Sequence, residues 1–330
     1  MLINDRIYGS IEVKEPVLID LIDSKAVQRL KKIGQFGVPQ EYYPFKDYSR
    51  YEHCIGVMLL LKRLDASLEE QVAGLLHDAS HTAFSHTVDW VLGDREKEDY
   101  QDKNHFDILN RSDVPESLSR HGFSLPRIAN TKNYGLLERK APDLCADRVD
   151  YSLREFASWA NPSIVDKCLE SMIVYDGRMV FNSRECAKEF GLGYSKCQTE
   201  HWGSPDTTMR WELLSRALRM ALDNKIISEY DFQKDDEYMM KRLRDSNNQD
   251  INSILAILSL KKLPLEFVTN NPQFSLKKKF RFVDPSYLEN GNLYRLSESD
   301  SGYKKLLEET RKDNESGVKV NLLAYWNVNT

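Results

Sequence analysis

Apolar residues recur at Ile55, Met58, Leu59 and Leu61 within the stretch from Tyr51 to Leu64, a three-to-four spacing that predicts a helix with His53 one turn inside it. Ser67 followed by Glu70 forms a capping box. It opens a second helix whose buried face is Leu68, Val72, Leu75 and Leu76 and which closes on His77-Asp78. Helical patterning runs on past Asp89 to Leu92, and the charged stretch from Gly93 to Asn104 is expected to be a solvated loop or lid. His105 then opens a short apolar helix over Phe106 to Leu109, and Arg111 to Tyr134 is mostly loop with one short helix. Pro142 suits the first position of a helix running to about Trp159. Its Leu144, Val149, Leu153 and Phe156 face inward, while Asp147, Tyr151 and Glu155 repeat every four residues as a polar stripe.

Upstream, residues 1–24 form an extended segment with a break at Tyr8-Gly9-Ser10 and a helix from Pro16 to Asp23. Ser24 caps the next helix, Lys25 to Ile33. The loop from Gln35 to Ser49 carries Phe36, Tyr42, Tyr43, Phe45 and Tyr48; composition alone fits a pocket wall and a surface loop pinned by aromatics equally well. Downstream, Met172 to Phe181 is a hairpin turning at Asp176-Gly177, Trp211 to Leu222 is an amphipathic helix, and Tyr238 to Leu260 holds two more. The expected fold is therefore mainly α. A helical core with one small hairpin occupies residues 1–269, followed by a short mixed tail or subdomain over 270–330. The lysine run at its start, KKKFRF at 277–282, is expected to be a solvated face, with an anionic ligand or an oligomer contact as the alternative.

Composition narrows the setting. With 41% apolar residues and 10% aromatics, 330 residues can build a substantial core, and no apolar run approaches the length of a bilayer span. The N-terminus lacks the basic-then-apolar layout of a signal peptide, so the expected location is cytoplasmic and no membrane partner is expected. Five cysteines, odd in number and never spaced Cys-x-x-Cys, fit reduced packing thiols. A net charge of −5 argues against stable nucleic-acid binding.

Four of the seven histidines, His53, His77, His81 and His86, lie within 34 positions. A lone His-Asp pair is weak evidence, since a histidine on an apolar helix is more often a hydrogen-bonded core residue. The whole set carries more weight: His53 on one helix, His77-Asp78 at the end of the next, and Asp147 on a later polar stripe. Two imidazoles and two carboxylates are the mixed N/O donors that hold a catalytic divalent metal, with Mn, Fe, Ni, Zn and Mg not separable by ligand type.

The order His53, His77-Asp78, Asp147 resembles the signature of HD-domain metal-dependent phosphohydrolases. The blocks NDRIYGSIEV, QRLKKIGQFG, SRYEHCIGV, HDASHTAFSH and DRVDYSLRE, in that order across residues 4–155, are similar to the deoxynucleoside triphosphate triphosphohydrolases among them. That resemblance implies His53, His77, Asp78 and Asp147 as metal ligands and Arg50 and Arg148 as phosphate contacts. It places His86 against the scissile phosphate, matches His81 to the family's catalytic histidine with Asp89 as its carboxylate partner, and gives His105 as a further active-site histidine. Gln35 would hold the 3′-hydroxyl of the sugar and Tyr151 would crowd the 2′ position, while Glu155 stands where the family has an Asp. It further implies a nucleotide substrate, a dNTP split into deoxynucleoside and triphosphate, and a homo-oligomer. Asp23, Gln28 and Lys31 align with an activator-binding Asp, Gln and Arg, and the lysine removes the planar fork, so guanine-nucleotide activation is expected to be weak or absent. The segment from Thr199 to Leu218 does not reproduce the basic, tyrosine-bearing stretch that touches substrate in that family. Another HD phosphoesterase or nucleotidase, or a nucleotide-binding regulator without turnover, remains a competing reading.

Overall fold

A computed structural model of the chain describes residues 1–323. It opens with a hairpin of β1 (Leu2–Asp5) and β2 (Gly9–Glu12). The Asp5 carboxylate accepts the Ile7 and Tyr8 N–H groups at 2.8 and 3.1 Å, and Gly9 at φ +74° completes the turn. Two short helices follow, α1 (Pro16–Ile22) and α2 (Lys25–Arg29). Ser24 caps α2 by accepting from Val27 N–H, but the helix tightens to a 3₁₀ turn at Leu30–Lys32 and does not run on as α-helix to Ile33.

The centre of the molecule is α3 (Arg50–Arg63), capped by Ser49, whose hydroxyl accepts from Glu52 N–H at 3.2 Å. It is buried on every side from His53 to Leu61, packed between α4 (Leu68–Leu76) and α8 (Ala146–Glu155), and so is a core helix instead of an amphipathic surface one. Ser67 does accept from Glu70 N–H at 3.2 Å, yet the second half of the expected capping box is absent. The Glu70 carboxylate instead accepts the Leu136 and Leu137 N–H groups at 2.7 and 2.9 Å, tying down the loop before α8.

Between them the chain makes α5 (Tyr100–Asn110), α6 (Val114–Arg120) and α7 (Leu125–Ile128). Two expectations change here. The segment Ser85–Trp90 is a 3₁₀ turn, and the charged run expected as a lid folds its second half into α5, so that His105 lies well inside a helix. Pro142 does not start α8. It follows a cis bond, Leu144 is drawn into an antiparallel bridge with Met179, and the helix begins only at Ala146, whose N–H is taken by Leu136 O at 2.7 Å. After Glu155 it widens into a π-turn, Phe156–Ala160.

The second half holds α9 (Val165–Ser171), the expected hairpin β3 (Met172–Tyr175) and β4 (Arg178–Phe181), and α10 (Arg184–Cys197). Asp176 and Gly177 both take positive φ, 49° and 64°, as a type I′ turn requires. Three helices follow: α11 (Pro205–Asp223), α12 (Asp236–Asp245) and α13 (Gln249–Leu258). The last described region contributes β5 (Leu265–Phe267), β6 (Phe274–Leu276), β7 (Ser286–Glu289) and β8 (Asn292–Arg295), then α14 (Leu296–Ser299), α15 (Ser301–Ser316) and β9 (Val318–Leu322). They build a four-stranded sheet ordered β3-β4-β7-β8 and a three-stranded sheet ordered β5-β9-β6.

Apolar side chains gather in two clusters. One surrounds α1, α3, α4 and α8; the other joins the aromatic loop after Gln35 to α11, α13 and residues Phe274, Leu276, Val320 and Leu322. The histidine-rich segment crosses from one to the other, with Ala79 packed in the first cluster and Ala83, Phe84, Val88 and Trp90 in the second. That seam is where the chemistry-bearing residues meet. No helix among the described residues is long and apolar enough to cross a membrane.

Candidate metal centre and active site

Helices α3, α4 and α8 bring their polar residues to one point. His53 Nε2 lies 3.0 Å from Asp147 Oδ1, and His77 Nε2 lies 3.7 Å from the same oxygen. Asp78 completes the group, one oxygen 3.5 Å from His77 Nε2 and the other 3.8 Å from His53 Nε2. The opposite edge of each imidazole is fixed: His53 Nδ1 meets Asp150 Oδ2 at 2.7 Å, and His77 Nδ1 meets Gly74 O at 2.7 Å. Such anchoring sets the tautomer and aims Nε2 of both rings inward. His77 Nε2 is buried and makes no hydrogen bond among the described residues. An unsatisfied imidazole nitrogen beside converging carboxylates is costly without a cation, and the donor set suits a divalent metal.

Charge at this point is strongly coupled. Burial works against an ionised Asp78, but Arg50, His77 and His81 together hold its carboxyl well below the usual range. Burial likewise opposes charge on His53, and its hydrogen bonds to Asp147 and Asp150 outweigh it, raising its pKa; His77 is raised further by Asp78 and Asp147.

Arg50 spans the floor, donating through Nε to Ser85 Oγ at 2.7 Å, through Nη1 to Asp78 and through Nη2 to Gln35 O. The turn it holds is strained: Phe84 and Ser85 have φ of 59° and 48°, stabilised by Phe84 N–H to Asp236 Oδ1 at 2.7 Å and Ser85 Oγ to Gly34 O at 2.6 Å. That turn presents His81 and His86 edge to face, ring centres 4.9 Å apart. Burial and the neighbouring Arg50 push both down to about 3, with Arg281 and Lys279 adding to the effect on His86. His105 is pulled down to about 4 by burial and by His77, and is held by Ser80 Oγ at 2.7 Å.

A cavity of about 760 Å³ opens over this floor, lined by Gln35, Arg50, His77, Asp78, His81, His86, His105, Asp147, Arg148 and Tyr151. The aromatic loop supplies Phe36, Tyr43 and Tyr48 to it and so is a pocket wall. Gln35 Oε1 is buried with no hydrogen-bond partner among the described residues, and Tyr151 Oη lies 2.6 Å from Tyr194 Oη. Arg148 donates to the carbonyls of Asp143 and Arg139 at 2.6 and 3.2 Å.

Two expected roles differ in the structure. Asp89 does not pair with His81: its Oδ2 lies 3.2 Å from His86 Nδ1 and its Oδ1 accepts Tyr100 N–H, because the 3₁₀ turn puts residues three apart on the same side. Glu155 is 1% exposed and stays off the cavity surface, accepting from Trp159 and Trp202 Nε1 and meeting His201 Nδ1 at 3.0 Å. It supports the aromatic wall from behind. Asp150, one helical turn from Asp147, joins the site with no role expected from the sequence, and the run at 277–282, expected as a solvated face, instead puts Lys278, Lys279 and Arg281 on the cavity lining. The i,i+3 spacing of Asp147 and Asp150 was the available signal for the first.

Residues 50–141 match the HD domain family model. The whole chain is similar to the uncharacterized protein YdhJ of Bacillus subtilis, 36% identical over 98% of this chain and 99% of that protein. It is also similar to the metal-dependent phosphohydrolase cns2 of Cordyceps militaris, 29% identical over 88% of this chain and 86% of the relative. The chain belongs to the HD-domain metal-dependent phosphohydrolases. This phosphohydrolase is also related to the dNTPases: it is 33% identical to the deoxynucleoside triphosphate triphosphohydrolase SAMHD1 of Danio rerio, over 37% of this chain and 23% of that protein. A phosphohydrolase from Bacteroides thetaiotaomicron shares its fold at a TM-score of 0.73 and 16% identity, covering 98% of this chain and 99% of that one. The cofactor of an HD-domain phosphohydrolase is a divalent metal, which when bound polarises a phosphate oxygen and lowers the pKa of a coordinated water. Arg50, His81 and His86 line the cavity beside this point.

Proposed function

We propose that this phosphohydrolase acts on nucleotides and splits a dNTP into deoxynucleoside and triphosphate. His53, His77, Asp78 and Asp147 hold the metal; Arg50 and Arg148 contact phosphate; His81 and His86 serve proton transfer, with Asp89 orienting His86 and His105 in support. The observation that carries the reading is the large cavity joined to the metal floor, with Gln35 offering an unpaired side-chain oxygen to a sugar hydroxyl and Tyr151 walling the adjacent space. Its ring packs edge-on against Trp202, centres 5.3 Å apart, and its hydroxyl lies 2.6 Å from Tyr194 Oη, contacts that favour its place in the wall. The competing reading is another HD-type phosphoesterase or nucleotidase; the nearly full-length likeness to the metal-dependent phosphohydrolase cns2 supports the phosphohydrolase class that both readings share.

Product analysis on dATP with added divalent metal is the test. Triphosphate and deoxyadenosine are expected; monophosphate with pyrophosphate, or activity confined to nucleoside monophosphates, overturns the reaction assignment. Equal rates on ATP and dATP overturn the sugar assignment. We also propose a homo-oligomer with weak or absent guanine-nucleotide activation. Gln28 Nε2 is already spent on Ile22 O at 2.7 Å, and Lys31 Nζ sits 4.6 Å from the centre of the Tyr51 ring. Light scattering with and without GTP checks both parts: a monomer sinks the first, GTP-driven assembly and activation the second.

A further inference from the structure

Three cations from one short run reach the wall of the catalytic cavity. Lys278, Lys279 and Arg281 line it together with His77, Asp78 and His86. The run lies between β6 and β7, which belong to different sheets, so it is anchored at both ends. Lys279 Nζ donates to Lys97 O at 2.9 Å, Arg281 N–H donates to Gln198 Oε1 at 3.3 Å, and Lys278 Nζ is 3.0 Å from the centre of the Trp211 ring. Burial pulls the Lys278 ammonium down to about 7 against the attraction of Glu98, a cost that an added anion would repay.

Glu98 faces these groups. It is 3% exposed, its backbone holds a left-handed φ of 50°, and its Oε2 pairs with Arg281 Nη2. Its Oε1 is buried without a hydrogen-bond partner among the described residues. Burial opposes its charge, yet Arg281, His86, Lys278 and Lys279 together hold its carboxyl below the usual range. The Glu98 carboxylate is thus ion-paired with Arg281 and within the electrostatic reach of Lys278 and Lys279, in a strained backbone and with Oε1 unused. The same cations reach inward electrostatically, Arg281 and Lys279 to His86 and Arg281 to Asp147. A single phosphate on the metal floor is served by Arg50. Further cations on the cavity lining, one of them a guanidinium fork, gain a role when the ligand carries further phosphates.

We propose that Lys278, Lys279 and Arg281 bind a linear chain of phosphates running outward from the scissile one, with Glu98 the internal carboxylate that this chain displaces. The inference rests on the nucleotide reading above for the identity of the ligand, and its source is a nucleoside triphosphate or inorganic polyphosphate of the same chemistry. Calorimetric titration of the metal-loaded protein in excess magnesium with inorganic tripolyphosphate, orthophosphate and dATP tests it. The wild type is expected to bind tripolyphosphate about tenfold or more tighter than orthophosphate. In the double variant Lys278→Gln/Arg281→Gln that ratio collapses, Lys278→Arg retains it, and Glu98→Gln increases it; Lys304→Gln, on α15, serves as control. Metal content and the unfolding transition, measured in parallel, separate a lost contact from a lost fold. A folded, metal-bound double variant with the wild-type ratio overturns the proposal. Equal affinity for dATP and tripolyphosphate supports the phosphate-binding wall while counting against the nucleotide reading, so the two fail separately.

Discussion

Asp150 Oδ2 lies 2.7 Å from His53 Nδ1, and the same oxygen accepts from Arg154 Nε at 2.8 Å. The imidazole that faces Asp147 is thus held from behind by a carboxylate that is itself held by a guanidinium, all three side chains fully buried. Arg154 also reaches Asp5 and Glu52, and Tyr8 donates its hydroxyl to Asp150 Oδ1 at 2.8 Å, so the first hairpin, α3 and α8 share one polar network. Buried networks of this kind rigidify what they hold only when every member is satisfied.

Neutralising that support is the first prediction. Asp150→Asn keeps the size of the side chain but loses the charge that orients the ring, so metal affinity should fall by about 10–100-fold. Competition with a metal-binding dye measures it; unchanged affinity would remove Asp150 from the metal site.

Removing ligands should act more completely. His77→Ala/Asp78→Ala is expected to abolish both bound metal and hydrolysis while unfolding remains cooperative, and chelation of the wild type should reproduce the loss, reversed by added divalent metal. Elemental analysis beside a phosphate-release assay decides it. Wild-type turnover in the double variant would show the ligand set to be misassigned.

Close approach of α3 to α8 predicts an intolerance. A Cβ at Gly56 would stand 2.0 Å from both Asp150 Oδ1 and Arg154 Nη2. Gly56→Ala should therefore cost about 3 kcal/mol, beyond what helix propensity would return, because neither buried ion can withdraw. Urea unfolding reads the difference, and a wild-type midpoint contradicts the packing.

Tyr151→Ala opens the wall beside the sugar. The preference for dATP over ATP in kcat/KM should narrow about tenfold, chiefly by a gain on the ribonucleotide. An unaltered ratio in a folded variant would mean that another group excludes the 2′-hydroxyl.

Stability should depend on pH through Asp47. Burial raises its carboxyl to about 8, and Asp236, itself raised to about 6, adds to the effect. Both approach Gly34, whose N–H donates to Asp236 Oδ2 at 2.9 Å. A folded pKa above the unfolded value of about 3.9 means that folding takes up a proton. The contribution is full below the unfolded pKa and is lost as pH rises through the folded one. Asp47→Asn, permanently neutral, should gain in Tm relative to the wild type between about pH 5 and about pH 9. Thermal unfolding across that range checks it, and a constant difference would place Asp47 in solvent.

Much of this was fixed by local pattern. The helix carrying His53, the one ending at His77-Asp78, the hairpin turning at Asp176-Gly177 and the polar face bearing Asp147 and Tyr151 all follow from periodicity, caps and turn residues, which act over a few positions. The grouping of His53, His77, Asp78 and Asp147 was legible because side chains of those types on core helices have few stable alternatives to meeting one another. Contacts distant in sequence were not legible. Leu144 is drawn to Met179 and so delays α8; the Leu136 and Leu137 amides take Glu70 away from its capping box; the turn at Phe84 and Ser85 turns Asp89 toward His86; and Lys278 and Arg281 cross to the cavity to meet Trp211 and Glu98. In each case a backbone or charged group satisfied itself against a partner that only the packed chain supplies, and burial made that partner worth more than the local choice.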